Sequence, residues 1–361
     1  MRFFHIADVH LGMQPDKGCP WSEDRSREIW ESFKKVIQQA GRENASLFLI
    51  AGDLFHRQPL TRELKEVNAL FASIPKVQIV LIAGNHDYIK GELPSRRIAW
   101  APNVHWLEEE KLVYVDFPEL KTRVWGFSYY SREISSPLYD EIKVPKDSPM
   151  PWNILLAHGG DEKHIPMSAD TFRRSGFDYI ALGHIHKPQI LEENYLAYPG
   201  SLEPLDKNET GHHGFIKGEC SKDGTRIAFV PYSVREYKRF KLQVTERTTQ
   251  VALENGIERI LEEHGRHHIY TILLEGIRGK HTEFLPESLK KLGNLVSLED
   301  HTHRAYSISQ LLEEYEGSVL EEYIRSFDIE HLTEEEEKIL RLGIEALLES
   351  GEELLLSLIH I

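Results

Sequence analysis

Cysteine is nearly absent: Cys19 and Cys220 are the only two in 361 residues, and neither stands in a paired metal-ligand spacing. That argues against a disulfide scaffold or a cysteine-built zinc site, and it fits a reducing compartment in which both are ordinary thiols. Also missing are an apolar run long enough to span a bilayer and a basic, then apolar, leader ahead of the strand-like stretch Arg2–Ala7. A cytoplasmic protein without membrane contact is therefore expected. No internal repeat is present. Positive charge is in deficit, with a net charge of -15, which looks unfavourable for a polyanionic ligand. Residues 311–361, however, carry -12 of it and residues 1–200 only -3. That N-terminal part would turn positive locally once divalent cations sat on its carboxylates, so overall acidity does not exclude a nucleic-acid substrate.

What the chain does contain is one device used five times. Ile79–Ala83 is a continuous apolar run that stops at Gly84 and then presents Asn85, His86 and Asp87. Such a run suits a strand covered on both faces, and the glycine lets the backbone turn where the sheet ends. The same pattern gives Asp8 and His10 after residues 2–7, Asp53 after Leu47–Gly52, His158 after Ile154–Ala157, and His184 and His186 after Tyr179–Gly183. Side by side in a sheet, the five strand ends would meet in one crevice. An extended backbone would keep Asp8 and His10 on one side. A single histidine at a strand end is ordinarily a surface or hydrogen-bonded residue, but five such ends are hard to produce by that route. The mixture of imidazoles, carboxylates and an amide oxygen suits Mn, Fe, Zn or Co better than Mg or Ca. Seven ligands, Asp8, His10, Asp53, Asn85, His158, His184 and His186, are too many for one ion and suit two with a shared carboxylate. The remaining histidines, His164, His213, His281 and His360 among them, lack this context. His5 lies within the first strand and reads as a core residue or one standing behind the ligands.

The set Asp8-Val9-His10, Gly52-Asp53, Gly84-Asn85-His86-Asp87, His158 and Gly183-His184-Ile185-His186 resembles the calcineurin-like metallophosphoesterases. More narrowly, Phe4–Gly12, Gly52–His56 and Tyr198-Pro199-Gly200-Ser201 resemble the D subunit of the bacterial SbcCD exonuclease and its DNA double-strand-break repair counterparts. The resemblance covers about residues 1–235. It implies a four-layer α-β-β-α sandwich with two divalent ions, manganese foremost. One ion would take Asp8, His10, Asp53 and His186, and the other Asp53, Asn85, His158 and His184, with Asp53 bridging. Two cations roughly 3.5–4 Å apart can share a hydroxide and offset the charge of an in-line displacement. His86, outside the ligand set, would stabilise the leaving oxygen, with His56 assisting, and Asp87 would hold the loop or orient His86.

The implied activity is DNA phosphodiester cleavage by a repair exonuclease or endonuclease. Arg57, Arg96, Arg97 and Lys187 near the motif loops are the candidate phosphate contacts. A small-molecule nucleotide phosphoesterase with the same centre is the alternative, and a non-catalytic subunit of an ATPase complex is a third reading. After residue 235 the texture changes, so residues 236–310 are expected to form a small α+β capping domain. Residues 311–361 are expected to form an acidic helical tail of two amphipathic segments. The tail's stripe of Leu311, Leu312, Tyr315, Val319, Tyr323, Ile324 and Phe327 suits packing on its own domain or contact with a coiled-coil SMC-like ATPase, the partner that the resemblance implies. A homodimer stays open.

Overall fold

The computed structural model describes residues 1–280 and 282–358, so His281 and His360 lie outside the described residues. Fifteen strands are present among them: β1 (Arg2–Ile6), β2 (Leu47–Ala51), β3 (Gln78–Ile82), β4 (Val104–Trp106), β5 (Val113–Phe117), β6 (Thr122–Gly126), β7 (Trp152–His158), β8 (Tyr179–Gly183), β9 (Gln189–Glu192), β10 (Leu196–Tyr198), β11 (Gly214–Ser221), β12 (Gly224–Pro231), β13 (Tyr237–Val244), β14 (Ile269–Arg278) and β15 (Leu295–Arg304). The first sheet has the order β12-β11-β1-β2-β3-β4 and the second β5-β6-β7-β8-β10-β9. Strands β1 to β4 run parallel to one another, as do β6, β7, β8 and β10, so the carboxyl ends of the strands that carry the candidate donors share a direction within each sheet.

Why the apolar runs are unbroken is visible in β2. Phe48 and Ile50 pack with the helices Ser22–Arg42 and Thr61–Ala72, whereas Leu47, Leu49 and Ala51 face the second sheet. Alternate side chains enter two different cores, and both must be apolar. Between the sheets, Phe3, Leu49, Val80 and Ile82 meet Val124, Ile154, Leu156 and Tyr179. The fold is the expected α-β-β-α sandwich. Its second outer layer is thinner: Tyr129, Tyr139, Phe172 and Phe177, carried mostly on irregular segments, cover β7 and β8.

Two expectations are corrected. The five strand ends do not lie in one sheet: β1, β2 and β3 belong to one and β7 and β8 to the other. The backbone after β1 is not extended either, because Asp8 and His10 have φ of 50° and 52°. Asp53 repeats this at 50° and His184 has φ of 100°, so four of the candidate donors occupy positive-φ backbone that non-glycine residues avoid. Such strain, of order 1–3 kcal/mol per residue, persists only where the surroundings enforce it.

The chain divides into two compact units, Met1–Lys238 with His267–Tyr270, and Arg239–Arg266 with the residues from Thr271 onward. In the second unit, β13, β14 and β15 form a sheet in the order β13-β14-β15, with the helix Gln250–His264 between β13 and β14 in sequence. The tail forms three helices rather than two segments, Ile308–Glu314, Val319–Arg325 and Glu334–Leu358. Gly317, at φ 75°, ends the expected continuous stripe. Leu311, Leu320, Ile324, Leu340 and Ile344 bury one another, while Val319, Ile339 and Leu342 stay exposed. No helix among the described residues is long and apolar enough to cross a membrane.

Candidate metal centre

The seven sequence-predicted donors come together, across the two sheets, at the carboxyl ends of their strands. His10 Nε2 stands 3.1 Å from His186 Nε2 and 3.7 Å from Asp53 Oδ2. On the other side of Asp53, the same oxygen lies 3.6 Å from His158 Nε2. Asn85 Oδ1 is 2.9 Å from His158 Nε2 and 3.1 Å from His184 Nδ1. Asp8 accepts the backbone N–H of His184 on both oxygens, at 2.9 and 3.0 Å, and joins His10 and His186 in one compact group. Two glycines make the approach of the sheets feasible. A Cβ on Gly183 would collide with the Ala51 carbonyl oxygen, and one on Gly52 with the His158 ring.

The imidazoles are oriented from behind. A carbonyl or carboxylate can only accept, so each such contact identifies the nitrogen that carries a proton. His158 Nδ1–H donates to the Ala51 carbonyl at 2.8 Å, His184 Nε2–H to Asp161 Oδ2 at 2.7 Å, and His186 Nδ1–H to Glu209 Oε1 at 2.7 Å. The other nitrogen of all three rings therefore faces the centre as the donor atom. His10 Nδ1 faces His56 Nδ1 at 3.4 Å, leaving its Nε2 for the centre. Donor atoms around a cation at ~2.1 Å stand about 3.0 to 3.4 Å apart in octahedral or tetrahedral arrangements, close to the spacings found here. The donor set fits divalent cations.

Electrostatics point the same way. Burial would raise Asp53, but the charges of His158 and His10 hold its carboxyl well below the usual range. Burial pulls His158 down, and Asp53 outweighs it to lift the ring to about 9. His186 also reaches about 9, burial being outweighed by its bond to Glu209 and by Asp8. Asp8 is raised to about 6 by burial, against His158 and His186. His184 is lowered to about 4 by burial and by the charge of His158. The carboxylates draw protons onto imidazoles, and a divalent cation would displace them.

The structure brings His56 and His86 to the more exposed edge of the set. Their rings stack at 5.1 Å, and His86 Nδ1–H donates to the His56 carbonyl at 3.1 Å. The His86 backbone N–H donates to Asp53 Oδ1 at 2.8 Å. Asp87 is a loop anchor: its oxygens accept the N–H groups of Gly84 at 2.7 Å and Phe55 at 3.0 Å, and burial raises its carboxyl to about 7. Of the candidate phosphate contacts, Arg57 is engaged by both oxygens of Glu63 at 2.8 and 2.9 Å, and Arg97 donates to the Pro59 carbonyl at 2.8 Å. Arg96 and Lys187 are exposed.

A family model of calcineurin-like phosphoesterases matches residues 1–188. The chain belongs to that family. Calcineurin-like phosphoesterases are hydrolases built around a dinuclear divalent metal centre, and the clustered donors described above lie within the matched residues. Among curated relatives, an uncharacterized metallophosphoesterase YhaO of Bacillus subtilis is 29% identical over 72% of this chain. The DNA double-strand break repair protein Mre11 of Archaeoglobus fulgidus is 27% identical over 72%, and that of Methanocaldococcus jannaschii 30% identical over 58%. These matches cover 67%, 62% and 58% of the relatives, so the chain spans about two thirds or less of their length.

Sequence reasoning missed the residues behind the ligands. Asp161, Glu209, Tyr129 and Tyr139 lie outside the apolar strands. The irregular segment 137–151 buries Tyr139 completely, and its hydroxyl accepts the backbone N–H of His158 at 3.0 Å. Tyr129 Oη donates to the His158 carbonyl at 2.9 Å. Asp161, following Gly159-Gly160 directly after His158, was the one position with a readable signal. His164 joins it, its Nδ1 2.9 Å from Asp161 Oδ1, although it lacks the strand-end context.

Proposed function

We propose that this phosphoesterase is a DNA phosphodiesterase with manganese as its working ion. The observation that carries the reading is the placement of the stacked His56–His86 pair beside the clustered carboxylates and imidazoles, at their more exposed edge. The DNA part is supported by the relatives that are DNA double-strand break repair proteins. One ion would be held by Asp8, His10, Asp53 and His186, the other by Asp53, Asn85, His158 and His184. The nearly equal distances from Asp53 Oδ2 to His10 and His158 suit a shared carboxylate. When bound, the pair supplies Lewis acidity and a nucleophile at neutral pH.

The chain's own residues do the rest. Asn85 contributes an oxygen without adding charge to a centre that already holds two carboxylates. With Nδ1–H of His86 held by the His56 carbonyl, Nε2 is the nitrogen left to give a proton to the leaving oxygen, which requires the imidazolium form. Stacking by His56 and the anchored Asp87 fix that ring. Arg96 and Lys187 would take backbone phosphates, positioning a strand without reading its bases. In the same reading the exposed apolar side chains Val319, Ile339 and Leu342 of the tail would meet an SMC-like ATPase.

The test is incubation of the purified chain and manganese with end-labelled single- and double-stranded DNA, beside bis(4-nitrophenyl) phosphate and an Asp53→Ala variant. DNA cleavage that disappears in Asp53→Ala is expected. Hydrolysis of the small ester with DNA left intact would overturn the DNA reading in favour of a small-molecule phosphoesterase.

A further inference from the structure

We propose that Asp161 and Glu209 are positioning residues, each serving a different half of the metal centre. Asp161 fixes His184 in the half containing Asn85 and His158, and Glu209 fixes His186 in the half containing Asp8 and His10. This rests on the two-metal reading above. Glu209 lies beyond the residues matched by the family model, so membership alone assigns it no role.

Both carboxylates are built into place before they meet their histidines. Asp161 Oδ1 accepts the backbone N–H groups of Lys163 at 2.8 Å and His164 at 3.0 Å and faces His164 Nδ1 at 2.9 Å. The turn is closed by Gly160 N–H donating to the His164 carbonyl at 2.8 Å and Ile165 N–H to the Ile134 carbonyl at 2.7 Å. Oδ2 is thereby aimed at His184 Nε2, 2.7 Å away. Glu209 is anchored through its other oxygen, Oε2, which accepts Leu205 N–H at 2.8 Å and Ser201 Oγ–H at 3.3 Å. Oε1 then meets His186 Nδ1 at 2.7 Å. Ser201 N–H also donates to the His186 carbonyl at 2.9 Å, so the Tyr198–Ser201 turn grips the backbone and Glu209 the ring of the same residue. A carboxylate behind a ligating imidazole holds its tautomer and orientation and raises the basicity of the opposite nitrogen. His158, in contrast, rests on a backbone carbonyl.

The two carboxylates face different donor groups, His184 Nδ1 toward Asn85 and His186 Nε2 toward His10. Their removal should therefore weaken different binding steps. The experiment is calorimetric titration of the chelator-stripped chain of 361 residues with manganese, for wild type, Asp161→Ala, Glu209→Ala and Asn85→Ala, the last marking the His184 half. Wild type should bind two ions. Asp161→Ala should weaken the step that Asn85→Ala weakens, by about 10–100-fold, and Glu209→Ala the other by a similar factor. The step spared in each variant shows that the protein is folded. Loss of the same step in both carboxylate variants, or of neither, overturns the assignment. A wild-type protein that binds no manganese overturns the two-metal reading itself, a result distinct from two ions bound equally well by every variant.

Discussion

His5 on β1 donates from Nε2 to the carbonyl oxygen of Leu182 on β8, 3.1 Å away, and so ties the two sheets together directly beneath the metal centre. Its Nδ1 accepts the hydroxyl of Tyr179 at 2.8 Å, so the neutral ring is fully satisfied. Burial lowers its pKa from 6.5 to about 3. The unfolded chain takes up a proton below about pH 6.5 and the folded chain does not until about pH 3. Stability from this group is therefore complete above 6.5 and is lost as the pH falls. Between pH 6.5 and 5 the loss should be about 2 kcal/mol. Urea midpoints at the two pH values should drop more for wild type than for His5→Gln, and parallel drops would rule His5 out as the titrating group.

Metal loading should stabilise as well as activate. The centre packs two buried carboxylates, Asp8 and Asp53, among the imidazoles of His10, His158 and His186, and a cation relieves the cost of that burial. Binding to the folded state alone adds about 2.7 kcal/mol at one hundred times Kd. Manganese should thus raise the melting temperature of the chelated protein and restore its activity. Asp53→Ala should abolish the thermal shift and the hydrolysis together, because that carboxylate faces both halves. A manganese shift that persists in Asp53→Ala would refute the shared role.

The clustering of the candidate donors was legible because each follows an apolar strand and a tight turn, a local pattern with a physical cause. Gly52 and Gly183 could be read as turn residues, yet their second task, admitting the opposite sheet, depends on a contact between segments more than a hundred residues apart. Glu209 sits in an irregular segment without period, and both it and Asp161 reach their histidines only through tertiary closure. The left-handed backbone at Asp8 and His10 could not be read because neither residue type demands it; the surrounding fold imposes it. Gly317 interrupts the tail stripe between the helices Ile308–Glu314 and Val319–Arg325, because glycine readily takes the left-handed conformation that ends a helix.

His86 and His56 should separate chemistry from binding. Neither belongs to the proposed ligand set, so manganese titration of His86→Gln should match wild type. Its kcat should fall about 10²–10⁴-fold with little change in KM, the expectation for a lost proton donor. His56→Ala removes the ring stacked on His86 and the one facing His10 Nδ1, so a smaller loss of about 10–100-fold is expected. Steady-state kinetics on a short DNA duplex gives both numbers. Loss of manganese affinity in His86→Gln would move that residue into the ligand set.

Two glycine substitutions should act in opposite directions. Gly183 has an ordinary negative φ, so alanine there meets no backbone penalty, but its Cβ would run into the Ala51 carbonyl oxygen and crowd the His158 ring. Neither neighbour can yield: Ala51 is paired within β2, and its carbonyl accepts the His158 proton. Separating the sheets to admit the methyl group should cost about 1–3 kcal/mol or more and weaken manganese binding at the same time. Gly256 lies inside the helix Gln250–His264, where a Cβ would touch only Leu242 at an ordinary 3.4 Å. There the dominant effect is the backbone freedom that glycine loses on entering a helix, so alanine should stabilise by about 1 kcal/mol. Urea denaturation monitored by circular dichroism, with manganese titration alongside, checks both signs. A Gly183→Ala protein with wild-type stability and affinity would show that the two sheets are not held as close as the Ala51–His158 contact requires.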